Sequence, residues 1–144
     1  MRVKSILSSK GDHVTKVTSS DTVRTTLRRL KTHNIGALVV SDDGMTVSGI
    51  ISERDLVRAM VDHGDALLEM LVGELMTRKV ETCTPEDDIE DVMDTMTNGR
   101  FRHMPVTVEG QLVGVVSIGD LVKHRMGELV DETKALREYV TDYR

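Results

Sequence analysis

Aromatic residues are nearly missing from this 144-residue chain: Phe101, Tyr139 and Tyr143 are its full complement, and it has no tryptophan. Single-stranded nucleic acid is usually held on aromatic stacking platforms, so that class of partner is disfavoured. A formal net charge of −5 removes any general attraction to phosphate backbones or anionic lipid, and any anion site must be local. The lone cysteine, Cys83, excludes an internal disulfide; with no CxxC or other zinc spacing, it fits a reducing compartment. No apolar run is long enough to span a bilayer, and residues 1–10 carry basic residues without the apolar stretch of a secretory signal. The expectation is a cytoplasmic protein with neither nucleic acid nor membrane as partner. Also missing are a GxxxxGK[ST] loop, a GxGxxG turn and a recognisable serine or cysteine nucleophile motif, so catalysis is not expected.

What the chain does have is a repeat. Thr18 to Val23, running on to Gly49-Ile50-Ile51-Ser52-Glu53-Arg54-Asp55-Leu56-Val57, returns as Thr84 to Ile89, running on to Gly114-Val115-Val116-Ser117-Ile118-Gly119-Asp120-Leu121-Val122. The offset is 66 at Val23/Ile89 (89 − 23) and at Gly44/Gly110 (110 − 44), then 65 at Gly49/Gly114 (114 − 49), a slip of one residue near Thr46. Two copies are too few for a solenoid and imply a pseudo-symmetric pair, whose interface is a natural ligand cleft. With 39% apolar residues the chain can bury a core, which must be aliphatic and filled in part by nine methionines.

Each copy parses alike. Thr18-x-x-Asp21 and Thr84-Pro85-Glu86-Asp87 read as N-cap signals. Val23, Leu27, Leu30 and Ile89, Met93, Met96 then line one face of a helix. Buried strands follow at 37–40 and 103–106, turns at 41–44 and 109–110, and second strands at 47–51 and 112–116. A short helical turn precedes each copy, Ser5-Ile6-Leu7 and Glu74-Leu75-Met76, with about three extra residues around Gly11-Asp12-His13 after the first. Division into a first repeat over 1–65, a second over 66–125 with a connecting helix at 66–72, and a helical tail over 126–144 is expected. Leu129, Leu136, Val140 and Tyr143 give that tail an apolar stripe, for which its own module is the preferred partner over a coiled coil.

The chemistry concentrates where the second strand of each copy meets a helix. Ser52-Glu53-Arg54-Asp55 and Ser117-Ile118-Gly119-Asp120 each fit a capping box. They equally fit a ligand site, since a helix N-terminus favours phosphate and a carboxylate beside it can accept both hydroxyls of a ribose. The four histidines outside the strands, His13, His33, His63 and His124, share no metal-ligand spacing, and no metal is expected. Cys83 reads as a small buried residue rather than a redox-sensitive thiol.

The whole pattern, with Gly-hydrophobic-hydrophobic-Ser-x-x-Asp closing both copies, resembles a tandem pair of cystathionine β-synthase (CBS) domains, a Bateman module, over about residues 1 to 125. That resemblance implies a mixed α/β fold of two packed β-α-β-β-α repeats followed here by a C-terminal helix. It also implies two clefts that take adenosine-containing ligands: AMP, ATP or a dinucleotide such as NAD or NADH, bound as a sensed ligand and not as a catalytic cofactor. On the matching positions, Asp55 and Asp120 would hold ribose hydroxyls and Ser52 and Ser117 would contact phosphate. The segments at Thr18 and Thr84, at Ile35-Gly36-Ala37 and at Arg102-His103-Met104-Pro105 would frame base or phosphates. Arg102 and His103 stand where the first copy has Gly36 and Ala37, and Arg54 has no cationic mate at Gly119, so different ligands in the two clefts are expected. The family commonly forms disc-like dimers through its helices, which makes a homodimer the expected assembly. A ligand-free regulator acting on a partner enzyme or transporter is the alternative.

Overall fold

The computed structural model describes residues 1–11 and 13–142, with Asp142 described in backbone only; Asp12 and Tyr143, the latter part of the expected tail stripe, lie outside them. In chain order the elements are α1 (Val3–Lys10), β1 (Lys16–Val17), α2 (Val23–His33), β2 (Ala37–Val40), β3 (Gly49–Ser52), α3 (Glu53–His63), a 3-10 turn (Gly64–Glu69), α4 (Val72–Leu75), α5 (Ile89–Gly99), β4 (His103–Val108), β5 (Gln111–Ser117) and α6 (Ile118–Asp142). Strand β1 runs parallel to β2, which pairs antiparallel with β3 from Ala37↔Ser52 to Val40↔Gly49. In the second copy β4 and β5 pair from His103↔Ser117 to Val108↔Gln111, and Cys83 bridges Val106 in parallel where β1 stands in the first. The repeat read from the sequence is therefore a repeat of β-α-β-β-α topology.

Local chemistry explains the boundaries. Helices α2 and α5 end on a left-handed residue at matched positions, Asn34 (φ 51°) and Arg100 (φ 58°). The second hairpin closes on Glu109-Gly110, both at positive φ, as a two-residue turn whose twist matches its strands requires. The first hairpin instead opens into a loop at residues 41–48, where the Asp43 carboxylate accepts from the N–H groups of Met45 (2.8 Å) and Thr46 (2.7 Å). Those bonds hold the Asp43 carboxyl well below its ordinary value.

Two expectations are corrected. Thr18 and Thr84 do not cap helices: their N–H groups donate to the carboxylates of Asp21 and Asp87 (2.8 Å each), which closes a turn and moves the helix start to Val23 and Ile89 behind the caps Thr22 and Asp88. The second correction concerns the packing of the tail's apolar stripe. The tail continues α6 without a break, and Leu129, Leu136 and Val140 remain 45%, 64% and 52% exposed, so the stripe does not pack on its own module. The connector at 66–72 is a 3-10 turn followed by a break at Met70, with Leu67 buried as its anchor.

Two aliphatic cores fill the interior, and each borrows the segment preceding the other copy. Val3 and Ile6 of α1 pack with Cys83, Ile89, Met96, Met104, Val116 and Leu121, whereas Leu67, Val72 and Met76 pack with Val17, Val23, Leu38 and Ile51. Glycine permits the crossing at matched sites: a Cβ on Gly49 would lie 2.7 Å from Met76 Sδ, and one on Gly114 would lie 2.5 Å from Leu7 Cδ2. The chain that follows the second exchanged segment, at Thr77, Lys79, Val80 and Glu81, lines an inter-repeat cleft.

Candidate functional site

The two Ser-x-x-Asp motifs sit at the N-termini of α3 and α6, and both form capping boxes. In the first, the Asp55 carboxylate accepts from the Ser52 N–H (2.9 Å) and the Ser52 hydroxyl (3.0 Å), while the Asp55 N–H donates back to Ser52 Oγ (3.3 Å). In the second, Asp120 accepts from the Ser117 N–H (2.9 Å) and returns a bond to Ser117 Oγ (3.1 Å). Both bonds to the Asp55 carboxylate fall on Oδ2, which leaves Oδ1 without a partner among the described residues.

Around Asp55 lies a cleft of about 610 Å³ built from both repeats, a size suited to a nucleotide-sized ligand. The first repeat contributes Gly36, Ala37, Ser52 and the start of α3 through Arg58; the second contributes the approach segment Thr77–Glu81 and the αL corner Gly99–His103. Arg54, Arg58, Lys79, Arg100 and Arg102 all line it, and none of them enters an ion pair among the described residues. Against these five cations stand the carboxylates of Glu53, Asp55 and Glu81. An acidic protein has thus collected its local positive charge at one inter-repeat cleft.

His103 begins β4 opposite Ser117, and Gly36 gives it room: a Cβ there would lie 3.2 Å from the imidazole Cε1 and 3.4 Å from Glu53 Oε1. Burial pushes the His103 imidazole below its ordinary value, helped by the charges of Lys10 and Arg102, while Asp120 and Glu53 pull the other way. A phosphate arriving beside it would favour its proton.

Around Asp120 the arrangement differs. Lys10 Nζ lies 2.7 Å from Asp120 Oδ2 and donates also to the Val115 carbonyl at 2.9 Å. Burial pushes the Asp120 carboxyl up, but the Lys10 ammonium and the Ser117 N–H outweigh it and hold the group below its ordinary value of 3.8.

Of the residues singled out from the sequence, Gly36, Ala37, Ser52, Arg54, Asp55, Arg102 and His103 meet at the 610 Å³ cleft. Thr18 and Thr84 are tied into their turns, Ile35 packs against the first core, Met104 and Pro105 are buried, and Ser117 and Asp120 form the second box; none of these lines that cleft. Sequence reasoning missed Arg58 and Lys79 in the lining, and Lys10 on Asp120; Arg100, read with Arg102 and His103 as a cationic donor of the second copy, lines the cleft with them. Arg58 is one helical turn beyond Arg54, a spacing that puts both on one face.

A family model for the CBS domain matches residues 3–62 and again 72–127. The CBS domain-containing protein CBSX3, mitochondrial, of Arabidopsis thaliana is 38% identical over 127 residues, 85% of this chain and 62% of that protein, so the chain spans under two thirds of this relative. The crystal structure of a CBS-domain containing protein from Agrobacterium tumefaciens is 42% identical with a TM-score of 0.83, covering 87% of this chain and 99% of that one. A CBS domain protein from Pyrobaculum aerophilum, crystallised with AMP, shares the fold at 24% identity and a TM-score of 0.74, covering 83% of this chain and 89% of that one. Twin matches in register, and two β-α-β-β-α units built around exchanged segments, identify the chain as a tandem pair belonging to the CBS-domain family.

Proposed function

We propose that this CBS-domain pair is a non-catalytic sensor of an adenosine-containing ligand, AMP, ATP or an NAD-type dinucleotide, bound in the cleft between Asp55 and the Arg100–His103 corner. The observation that carries the reading is an acid fixed by its own capping box in a nucleotide-sized space that is also lined by five cations with no ion pair among the described residues, three of them from the other repeat. Asp55 keeps Oδ1 for ribose hydroxyls; Ala37, Val80 and Phe101 supply apolar surface for a base; Arg54, Arg58, Lys79, Arg100, Arg102 and His103 meet phosphate. The Ser52 hydroxyl points its proton at Asp55, so its part is to hold the acid. The Pyrobaculum protein's AMP supports the ligand class.

Val57, Met60 and Val61 on α3 and Met126, Leu129 and Val130 on α6 are exposed on helices that correspond in the two repeats, which supports a homodimer formed through those faces, at twice the 16.0 kDa of the chain. The same apolar surface favours the second reading, a regulator that works through a partner enzyme or transporter with empty clefts. The cytoplasm is the compartment we infer, from the reduced, buried Cys83. Calorimetry and thermal shift with AMP, ATP, NAD and S-adenosylmethionine separate the readings: a ligand at a hundred times its dissociation constant adds about 2.7 kcal/mol of stability. Silence with all four would leave the partner-binding reading.

A further inference from the structure

Resting on that nucleotide reading, we propose that Lys10 is a built-in occupant of the second cleft: its ammonium stands beside Asp120 where a ligand's sugar hydroxyls stand beside Asp55, so that one chain binds one ligand.

The argument starts from register. The segments that precede the two repeats dock through matched backbone bonds. Val3 N–H to the Asp87 carbonyl (3.0 Å) and Lys4 N–H to that of Pro85 (2.9 Å) correspond to Val72 N–H to Asp21 (2.9 Å) and Gly73 N–H to Ser19 (2.8 Å). The donors are shifted by 69 (72 − 3) and the acceptors by 66 (87 − 21), the difference being the three extra residues near Gly11. On the donor register Lys10 is the mate of Lys79 (79 − 10 = 69).

The two mates end in different places because the helices that lead to them differ in length. Helix α4 stops at Leu75, Met76 leaves in extended backbone, and Thr77 exchanges two backbone bonds with Ile50 (3.0 and 2.9 Å). Lys79 is thereby left on the rim of the open cleft, with no ion pair among the described residues. Helix α1 instead continues to Lys10 and stops at Gly11, whose φ of 86° is one that glycine adopts freely. Among the described residues its backbone makes no bond to Val115, the mate of Ile50 (115 − 50 = 65). The Lys10 ammonium bonds the Val115 carbonyl in its place and carries its charge onto Asp120.

A ligand entering the second cleft must therefore displace a cation from the acid it needs and strip the Val115 carbonyl of that bond. Among the described residues no cation pairs with Asp55. The same lysine adds its charge to the field on His103, so the phosphate-facing imidazole of the open cleft is tuned by the occupant of the closed one.

Stoichiometry tests this directly. In calorimetric titration with ATP, wild type is expected to take up one ligand per chain, Lys10→Arg also one, and Lys10→Met two. The double variant Lys10→Met/Asp120→Ala should return to one, and circular dichroism confirms that each variant folds. Two equal sites in wild type, or a single site in folded Lys10→Met, overturns the proposal. Absence of heat with ATP and AMP in every variant would instead refute the nucleotide reading, and the occupant is then decided by carboxyl NMR. Asp120 should titrate below 3.8 in wild type and move upward in Lys10→Met; an unmoved titration overturns the ion pair.

Discussion

Replacing Asp55 with alanine separates its structural role from its role in binding, because the carboxylate serves both. It closes the capping box through two bonds to Ser52, and loss of such a box costs about 1 kcal/mol of stability. For a chain of this length that corresponds to a fall in Tm of roughly 3 °C. Loss of a charged acceptor for ribose hydroxyls costs a further 1.5–3 kcal/mol in binding, about 10- to 150-fold in Kd. Ser52→Ala is the control: it removes the hydroxyl that pairs with Asp55 but leaves the carboxylate in the cleft. It should match the fall in Tm and weaken AMP binding far less. Differential scanning calorimetry of the free proteins and isothermal titration with AMP measure the two effects independently. If Asp55→Ala loses the 3 °C and still binds AMP with the wild-type Kd, the acid is a helix cap alone and the ribose assignment is wrong.

Other consequences follow from the same geometry. Because burial holds His103 below its ordinary 6.5, the unfolded chain takes up that proton first as pH falls, so stability declines below about pH 6.5; AMP affinity should rise over the same range, by at most tenfold per pH unit for one proton taken up. His103→Gln should flatten both trends, the second being read from calorimetry in buffers of different ionisation enthalpy. Arg100 is held at φ 58°, where an asparagine like Asn34 sits with less strain, so Arg100→Asn should raise stability by about 1 kcal/mol in urea melts and at the same time weaken ATP binding. A gain in stability with no loss of affinity would remove Arg100 from the site. Burial, with Asp87 adding to it, pushes the Cys83 thiol up to about 12, so a thiol reagent at pH 8 should label it only in denaturant. Rapid labelling of the native protein would contradict its place in the second core.

The fold was legible because the sequence states it twice. The Val23/Leu27/Leu30 and Ile89/Met93/Met96 faces, the apolar runs at 37 and 103 and the paired Gly-x-x-Ser-x-x-Asp endings each found their counterpart in the structure. The ends of elements were harder to read. A Thr-x-x-Asp signature serves a turn as well as a helix cap, since the same carboxylate-to-N–H bond closes both, and only the second capping residue, Thr22 or Asp88, marks the real start. Met104 was read as framing the ligand; in the structure it lies in a run of three buried residues, Met104 to Val106, and packs in the second core. Most of what stayed hidden depends on pairs distant in sequence. That Arg102 and His103 of one repeat share a cleft with Asp55 of the other follows from the pseudo-two-fold packing, and that Lys10 reaches Asp120, 110 residues away, follows from where α1 ends. A helix longer by about a turn is a small matter in the sequence. Its effect is to place a charge on Asp120, whereas Asp55 has no ion pair among the described residues.

The most direct test of the central claim is a crystal structure of the protein grown with AMP. The expected density places the ribose hydroxyls on Asp55 and the phosphate among Arg54, Arg102 and His103, with Lys10 still on Asp120. Density for AMP at any other position, with the Asp55 cleft empty, would contradict the account.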